Sequence, residues 1–209
     1  MIGSLSEKYE SNGSISCIST GEDDLGGISY GKWQLATNVG AVDSFLRWLG
    51  ENGHGEAFGI YKMLSQFLPG SDEFSEAWKQ IAEEMPELFE QVQHDYIQFA
   101  YYEPAVNALA EADWHIENHH EVMEDVVWSR AVQYGAGQIV EMFQQACAQL
   151  GYPNLSYVDS KYFDEQMIKE IYLNVCHTPE WTNGSPGVRD GLYARFESEC
   201  ADALERLTA

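Results

Sequence analysis

Two carboxylate side chains near the start of the chain, Glu10 and Asp24, have the residue type and spacing that general acid–base chemistry needs. Glu10 ends a short helical pattern and is followed by Ser11-Asn12-Gly13, a run that terminates helices. The helix dipole disfavours a negative charge at this end, so the pKa of Glu10 is expected to rise. A raised pKa suits a proton donor near neutral pH, so Glu10 is the predicted general acid. Taken alone, Glu10 is also explained as a solvated residue at a frayed helix end.

The second carboxylate, Asp24, stands before the Gly26-Gly27 pair. Turn chemistry also explains this position, because Asp bonds its own backbone in turns. Glu22 and Asp23 crowd Asp24 with negative charge, so the spacing leaves open which of Asp23 and Asp24 faces a substrate. Glycoside hydrolysis needs two carboxyl groups on opposite sides of the scissile bond. Ser29, which follows Asp24 closely, is the hydroxyl predicted to hold a water.

Amide and aromatic side chains near these carboxylates are of the types that bind sugars. Tyr30, Trp33 and Gln34 offer ring faces and amide hydrogen bonds to hydroxyl and N-acetyl groups. Far along the chain, Gln133 and Tyr134 end an apolar helical pattern next to a glycine and are predicted to face a cleft. An ordinary helix terminus is the alternative for this pair.

The elements that must position these residues are mostly helices. Residues 14–19 and 28–30 alternate in polarity as half-buried strands do, which predicts a small irregular β-hairpin. The rest of the chain carries apolar stripes at helical spacing, separated by Gly and Pro. The predicted fold is mainly α: helical, bundle-like lobes with a small β-hairpin region near the N-terminus. With no repeat or linker in the sequence, we predict a single domain, residues 1–209.

Composition excludes several classes of function. The chain has 209 residues and a formal net charge of −23, which argues against nucleic acids and anionic membranes as partners. The charge favours a cationic or neutral ligand, or it serves solubility alone. No apolar run approaches the ~20 residues that span a bilayer, and the N-terminus lacks the pattern of a signal peptide. We therefore expect synthesis in the cytoplasm, an excised domain, or export by a route that needs no signal.

Neither the histidines nor the cysteines form a metal-binding pattern. The run Trp114–His120 is rich in histidine, but its spacing is not that of a tetrahedral zinc site. The four cysteines are scattered, which favours buried thiols, with one disulfide as the alternative. No metal and no cofactor is predicted.

Several short runs are similar to motifs of a lysozyme-like group of peptidoglycan hydrolases, of the type found in phage lysins and secretion-system effectors. The match is dense in the first 36 residues and around one central helix. The Asp-x-x-Gly-x-Ser part also resembles a chitosanase pattern, although Leu25 stands where a proline is expected. The runs that carry the resemblance are Lys8-Tyr9-Glu10-Ser11, Asp24-Leu25-Gly26-Gly27, Ser29 to Leu35 and Val127 to Gly135.

The resemblance implies a muramidase that cleaves the glycan strands of peptidoglycan. Glu10 would be the catalytic acid, Asp24 the second carboxylate and Ser29 the water-positioning hydroxyl. The cleft would be lined by Tyr30, Trp33, Gln34, Gln133 and Tyr134. The alternatives are a chitosanase, which the acidic charge favours, a lytic transglycosylase, or a non-catalytic module that binds the cell wall. Expected partners are glycan strands and an immunity protein or secretion-system carrier, with access to the cell wall after lysis or secretion.

Overall fold

The computed structural model describes residues 2–9, 14–19 and 27–208. Glu10, Asp23 and Asp24 lie outside the described residues. The chain divides into two compact units. The first, called here the N-terminal unit, is Glu7–Phe99; the second, the C-terminal unit, combines Met1–Ser6 with Ala100–Ala209. The single-domain expectation stays a prediction.

A small antiparallel sheet lies in the N-terminal unit. Its strands are β1 (Ile18–Ser19), β2 (Ser29–Tyr30) and β3 (Leu35–Ala36), in the order β1-β2-β3. Tyr30 is paired with Ile18 on one side and Leu35 on the other. The turn between β2 and β3 requires a glycine, because Gly31 has φ +73 and an added Cβ would lie 2.3 Å from Gln93 Oε1.

Helices complete the N-terminal unit. Each buries its apolar stripe, as the spacing of Val42, Phe45 and Leu49 in the first long helix illustrates. Their buried rings form an aromatic core in which Trp78 packs against Phe89 with centroids 4.7 Å apart. The helices that lie wholly in this unit are α2 (Ala41–Asn52), α3 (Glu56–Leu64), α4 (Asp72–Glu84) and α5 (Pro86–Ile97). The short helix α1 (Ser4–Glu7) and the π-helical turn at Gln98–Tyr102 each have residues in both units.

The C-terminal unit is helical and surrounds one buried helix, α7 (Glu121–Tyr134). Between Val122 and Ala131, residues on all sides of α7 are buried, so this stretch of the helix lies in the core. The other helices are α6 (Glu103–Glu111), α8 (Ala136–Gln149), α9 (Asp164–Lys169) and α10 (Pro186–Leu207). Between them lie short 3-10 turns at Ile116–Asn118, Leu155–Tyr157, Lys161–Phe163 and Val175–His177, and a π-helical turn at Glu170–Asn174.

The mainly α fold with a small β region near the N-terminus is confirmed. The β region holds one strand more than the predicted hairpin. Within the described part of the chain, no helix combines the length and apolar character needed to cross a bilayer.

Candidate functional site

Four of the predicted site residues follow one another on β2 and the turn after it. Ser29 is only 7% exposed, and Tyr30 is fully buried. The Tyr30 hydroxyl lies 2.7 Å from Ser75 Oγ, and its ring packs edge-on against Phe74 at 5.1 Å. Tyr30 thus supports the core beneath the sheet, and its role in substrate binding stays a prediction.

Trp33 and Gln34 lie on the turn between β2 and β3. Trp33 is 6% exposed, and its ring lies edge-on to His94 at 5.9 Å. Gln34 has φ 54, a backbone conformation that non-glycine residues rarely adopt. Its amide donates to the Gly31 carbonyl at 3.0 Å, which fixes the side chain over the turn. Gln34 is half-buried, so part of this amide faces solvent.

A buried lysine beside these residues was not predicted. Lys32 is 2% exposed, its Nζ lies 2.6 Å from Glu90 Oε1, and it approaches the Trp33 ring at 5.4 Å. Its backbone N–H donates to Gln93 Oε1 at 3.0 Å, which ties the turn to α5. In the sequence, only the position of Lys32 between a glycine and a tryptophan could have indicated that this lysine is buried.

The C-terminal unit contains a cavity of about 370 Å³ that includes both sequence-predicted residues of this unit. Gln133 and Tyr134 reach it from the end of α7, where Gly135 ends the helix with φ 81. A loop before α10 supplies the opposite wall. The lining residues are Gln133, Tyr134, Gln138, Glu180, Trp181, Asn183 and Leu192. This set is called the Gln133 pocket below.

Aromatic and amide groups in the Gln133 pocket hold one another in place. The Trp181 indole N–H donates to Gln145 Oε1 at 2.9 Å, and Gln145 in turn donates to Glu180 at 2.7 Å. Tyr134 stands edge-on to Trp181 with centroids 5.6 Å apart. Among the described residues, the buried Oε1 of Gln133 has no hydrogen-bond donor. Because this oxygen is itself buried, a ligand in the cavity would reach it only after the Gln133 side chain changes rotamer.

Burial is the main influence on the pKa of the Tyr134 phenol. Burial raises the pKa of Tyr134, and the neighbouring Cys176 thiol adds to the rise, while the Arg130 guanidinium partly opposes it. Arg130 lies 5.8 Å from the Tyr134 ring centroid. At the rim, a hydrogen bond with Glu180 raises the pKa of Glu141. The described lining of the pocket therefore offers amide groups, the half-buried Tyr134 phenol and the Glu180 carboxylate, with the 5% exposed Trp181 ring packed behind them.

The histidines of the run Trp114–His120 are held by carboxylates. His119 is buried between Asp164 and Asp159, at 2.5 and 3.2 Å, and stacks on Trp114 at 3.9 Å. His120 Nδ1 lies 2.7 Å from Asp164. Among the described residues, no group of three or more His, Cys, Asp or Glu side chains is arranged to hold a metal ion. This cluster acts as a clamp between the run and the start of α9.

We expect this clamp to give the C-terminal unit its greatest stability at mildly acidic pH. Burial opposes ionisation of Asp159, but hydrogen bonds from His115, Asn118 and His119 outweigh it and lower the pKa below its ordinary 3.8. Its contribution is present above that ordinary value and is lost as pH falls through the lowered pKa. A hydrogen bond to Asp159 raises the pKa of His115 above 6.5, so its contribution is complete below 6.5 and lost as pH rises through the raised pKa.

Urea unfolding from about pH 3 to 8, followed by tryptophan fluorescence, measures this profile. Asp159→Asn should reduce the loss of unfolding free energy on both the acidic and the alkaline side of the maximum. Asp190→Asn, at an exposed position on α10, should leave the profile unchanged. Identical profiles for the wild type and Asp159→Asn would contradict the prediction.

The fold and the site together define a class of protein. It is an acidic, mainly α protein with a pocket that amide and aromatic residues line. The sequence then gives the family, because a family model described as "Type VI secretion system spike protein VgrG3-like, C-terminal" matches residues 2–200. The chain belongs to this family. It is also 32% identical over 135 residues to the type VI secretion system spike protein VgrG3 of Vibrio cholerae. That match covers 64% of this chain and 12% of the relative.

The family expected from the short motifs was wrong. The chain belongs to the VgrG3-like C-terminal family and not to the lysozyme-like hydrolases of the phage-lysin type. The two resemblances differ in how much of the chain they cover. The motif resemblance is dense only near the N-terminus and around α7, whereas the family match spans residues 2–200. Gly, Ser, Asp and aromatic residues recur in polar turns of many folds, so short runs of them discriminate poorly between families.

Proposed function

We propose that this chain is the terminal module of a type VI secretion spike protein, and that it binds the glycan strands of bacterial peptidoglycan after delivery. The observation that supports the binding step is the Gln133 pocket, with its amide-rich lining and the buried, unpartnered amide oxygen of Gln133. Membership of the VgrG3-like family supports the proposal that a type VI secretion spike protein carries this module. The proposed site of action is the cell wall of a recipient cell, reached by delivery through the secretion system.

The chemistry of the Gln133 pocket suits an N-acetylated sugar. After a change of rotamer, Gln133 Oε1 would accept from a hydroxyl or an acetamido N–H, and Gln138 and Asn183 of the lining offer further amide groups. The half-buried Tyr134 and Leu192 supply apolar surface for the C–H side of a pyranose. A net charge of −23 disfavours approach to anionic parts of the wall, so the neutral N-acetylglucosamine residues are the proposed contact.

Removing the free acceptor tests this proposal. We expect Gln133→Leu, which keeps the side-chain volume, to weaken binding of tri-N-acetylchitotriose about three- to tenfold, the usual cost of one hydrogen bond. Calorimetry measures this constant, and co-sedimentation with purified sacculi checks the natural polymer. Gln144→Leu, at an exposed position of α8 outside the pocket, is the matched control. Unchanged affinity in Gln133→Leu would refute the pocket as the binding site.

Hydrolysis of the same strands is the second candidate. It rests on the Glu10 and Asp24 pair and on one structural observation. Ser29, the predicted water-positioning residue, starts β2 and pairs with Ser19 at the end of β1. Ser29 is held by pairing on both sides, with Ser19 and with Ala36. A producing cell would need an immunity protein against this activity, whereas pure binding would need none.

A further inference from the structure

Four aromatic side chains gather on the surface of the C-terminal unit, between the end of α8 and the start of α9. Tyr152 stacks near Tyr157 with centroids 6.2 Å apart, and it meets Phe163 edge-on at 5.3 Å. Tyr162 stands nearly perpendicular to Phe163 at 5.1 Å. These four residues are called the tyrosine platform below. They share no residue with the Gln133 pocket.

Two rings of the platform face solvent. Tyr162 is 77% exposed and Tyr157 is 56% exposed. Side chains of this size usually bury their apolar faces, so two exposed rings on one short stretch indicate a contact surface. Their exposure also means that substituting either ring should leave the core intact.

The platform has a fixed shape. Leu155 and Val158 anchor the connection in the core, since they are 1% and 0% exposed. The Tyr162 backbone N–H donates to Ser160 Oγ at 3.3 Å, which caps the 3-10 turn. Behind the rings, the buried Asp164 accepts from the His120 backbone N–H at 2.9 Å. A ligand would therefore meet a backbone already held in position, with the Phe163 ring packed against Tyr152 and Tyr162, which lowers the entropic cost of binding.

A cavity of about 230 Å³ lies on the platform. Its volume is below the roughly 300–1,000 Å³ of pockets for drug-sized ligands, which favours a ligand of one or two rings. In the described part of the chain, the lining carries no charged side chain, although the chain as a whole is strongly acidic. The lining residues are Leu150, Tyr152, Tyr162, Phe163 and Gln166.

We propose that the tyrosine platform binds a neutral sugar ring, as a second saccharide site separate from the Gln133 pocket. Flat ring faces match the C–H face of a pyranose, and the phenol hydroxyls and the Gln166 amide match its equatorial hydroxyl groups. The uncharged lining disfavours anionic ligands. A stable protein partner would need about 800 Å² of contact on each side, more than four partly buried side chains provide.

Backbone-amide NMR of the full chain with tri-N-acetylchitotriose tests this inference. Titration should shift amides of residues 150–166, and Tyr162→Ala should weaken that local binding about tenfold, the order expected for loss of a stacked ring. Tyr162→Phe, which keeps the ring, should retain most of the affinity. Gln133→Leu should leave the shifts at residues 150–166 unchanged.

The outcomes separate this inference from the proposed function. If the sugar shifts only residues around Gln133, the pocket stands and the platform inference fails. Shifts at residues 150–166 that persist unchanged in Tyr162→Ala would also overturn it. If the sugar shifts no residue, both proposals fail for this sugar. Concentration-dependent self-association that Tyr162→Ala removes, without sugar binding, would instead assign the platform to a second copy of the chain.

Discussion

Replacing Glu199 by Gln is expected to lower the free energy of unfolding by about 3–5 kcal/mol, the usual cost of leaving a buried charge unpaired. Glu199 on α10 and Arg130 on α7 are both fully buried, and Arg130 Nη2 lies 2.5 Å from Glu199 Oε2. Ser129 also donates to that oxygen at 2.8 Å, and Arg195 contacts the second carboxylate oxygen at 2.8 Å. Removal of this carboxylate charge would leave the Arg130 guanidinium charged within the core.

The pKa shifts of Arg130 and Glu199 both indicate that the two side chains are charged. Burial alone would lower the pKa of Arg130, but the Glu199 carboxylate outweighs it and the pKa is raised. Burial alone would raise the pKa of Glu199, but Arg130 and Arg195 outweigh it and the pKa is lowered. Both side chains are therefore charged near neutral pH. The Arg130 guanidinium also lies 4.6 Å from the Tyr172 ring centroid and 4.8 Å from that of Phe196, so the pair joins α7 to the core around it.

Urea unfolding at neutral pH measures the loss. Glu197→Gln, at an exposed position on the same helix, should change stability by less than about 0.5 kcal/mol. The double variant Arg130→Met with Glu199→Gln should recover part of the loss, because it removes the unpaired charge. A Glu199→Gln protein as stable as the Glu197→Gln control would contradict the charged-pair interpretation.

Helical periodicity predicted much of the fold because it reports burial directly. The stripe of Val42, Phe45, Leu46 and Leu49 is the buried face of α2. The third strand, β3, was missed because two residues show no alternation, and Leu35–Ala36 becomes a strand only by pairing with β2. The sequence also predicted that α7 ends next to a pocket, but its opposite wall, Trp181, comes from a loop distant in sequence.

The pairing of charged side chains that are distant in sequence could not be predicted from the sequence. The run of histidines suggested a metal at first, and the spacing argued against one. It did not indicate that Asp159 and Asp164 would hold the histidines. The ion pair of Arg130 and Glu199 was not predicted either, since nothing local marks a residue whose partner is on another helix. The spacing of Tyr30 also gave no sign of its full burial, and its role in substrate binding stays a prediction.

Binding and hydrolysis can be separated by one substitution, Glu10→Gln. If the chain hydrolyses glycan strands, we expect this variant to lose about 10²–10⁴-fold or more of the rate, because an amide cannot donate the proton that the leaving oxygen needs. Binding of tri-N-acetylchitotriose in the Gln133 pocket should stay unchanged, since Gln has nearly the size of Glu and the described lining comes from residues 133–192. Glu22→Gln, which changes a neighbouring acidic residue in the same way, is the matched control.

Mass analysis of digested sacculi, with release of reducing ends from chitosan as a parallel assay, distinguishes the outcomes. Products that have gained water indicate a hydrolase, and products lacking one water indicate a lytic transglycosylase. Release from chitosan alone would favour a chitosanase, which the charge of −23 suits because glucosamine polymers are cationic. Sacculus binding without any product in the wild type would exclude hydrolysis and leave the binding module. Full activity in Glu10→Gln would remove Glu10 from the reaction, and Asp23 and Asp24 would then need separate substitution.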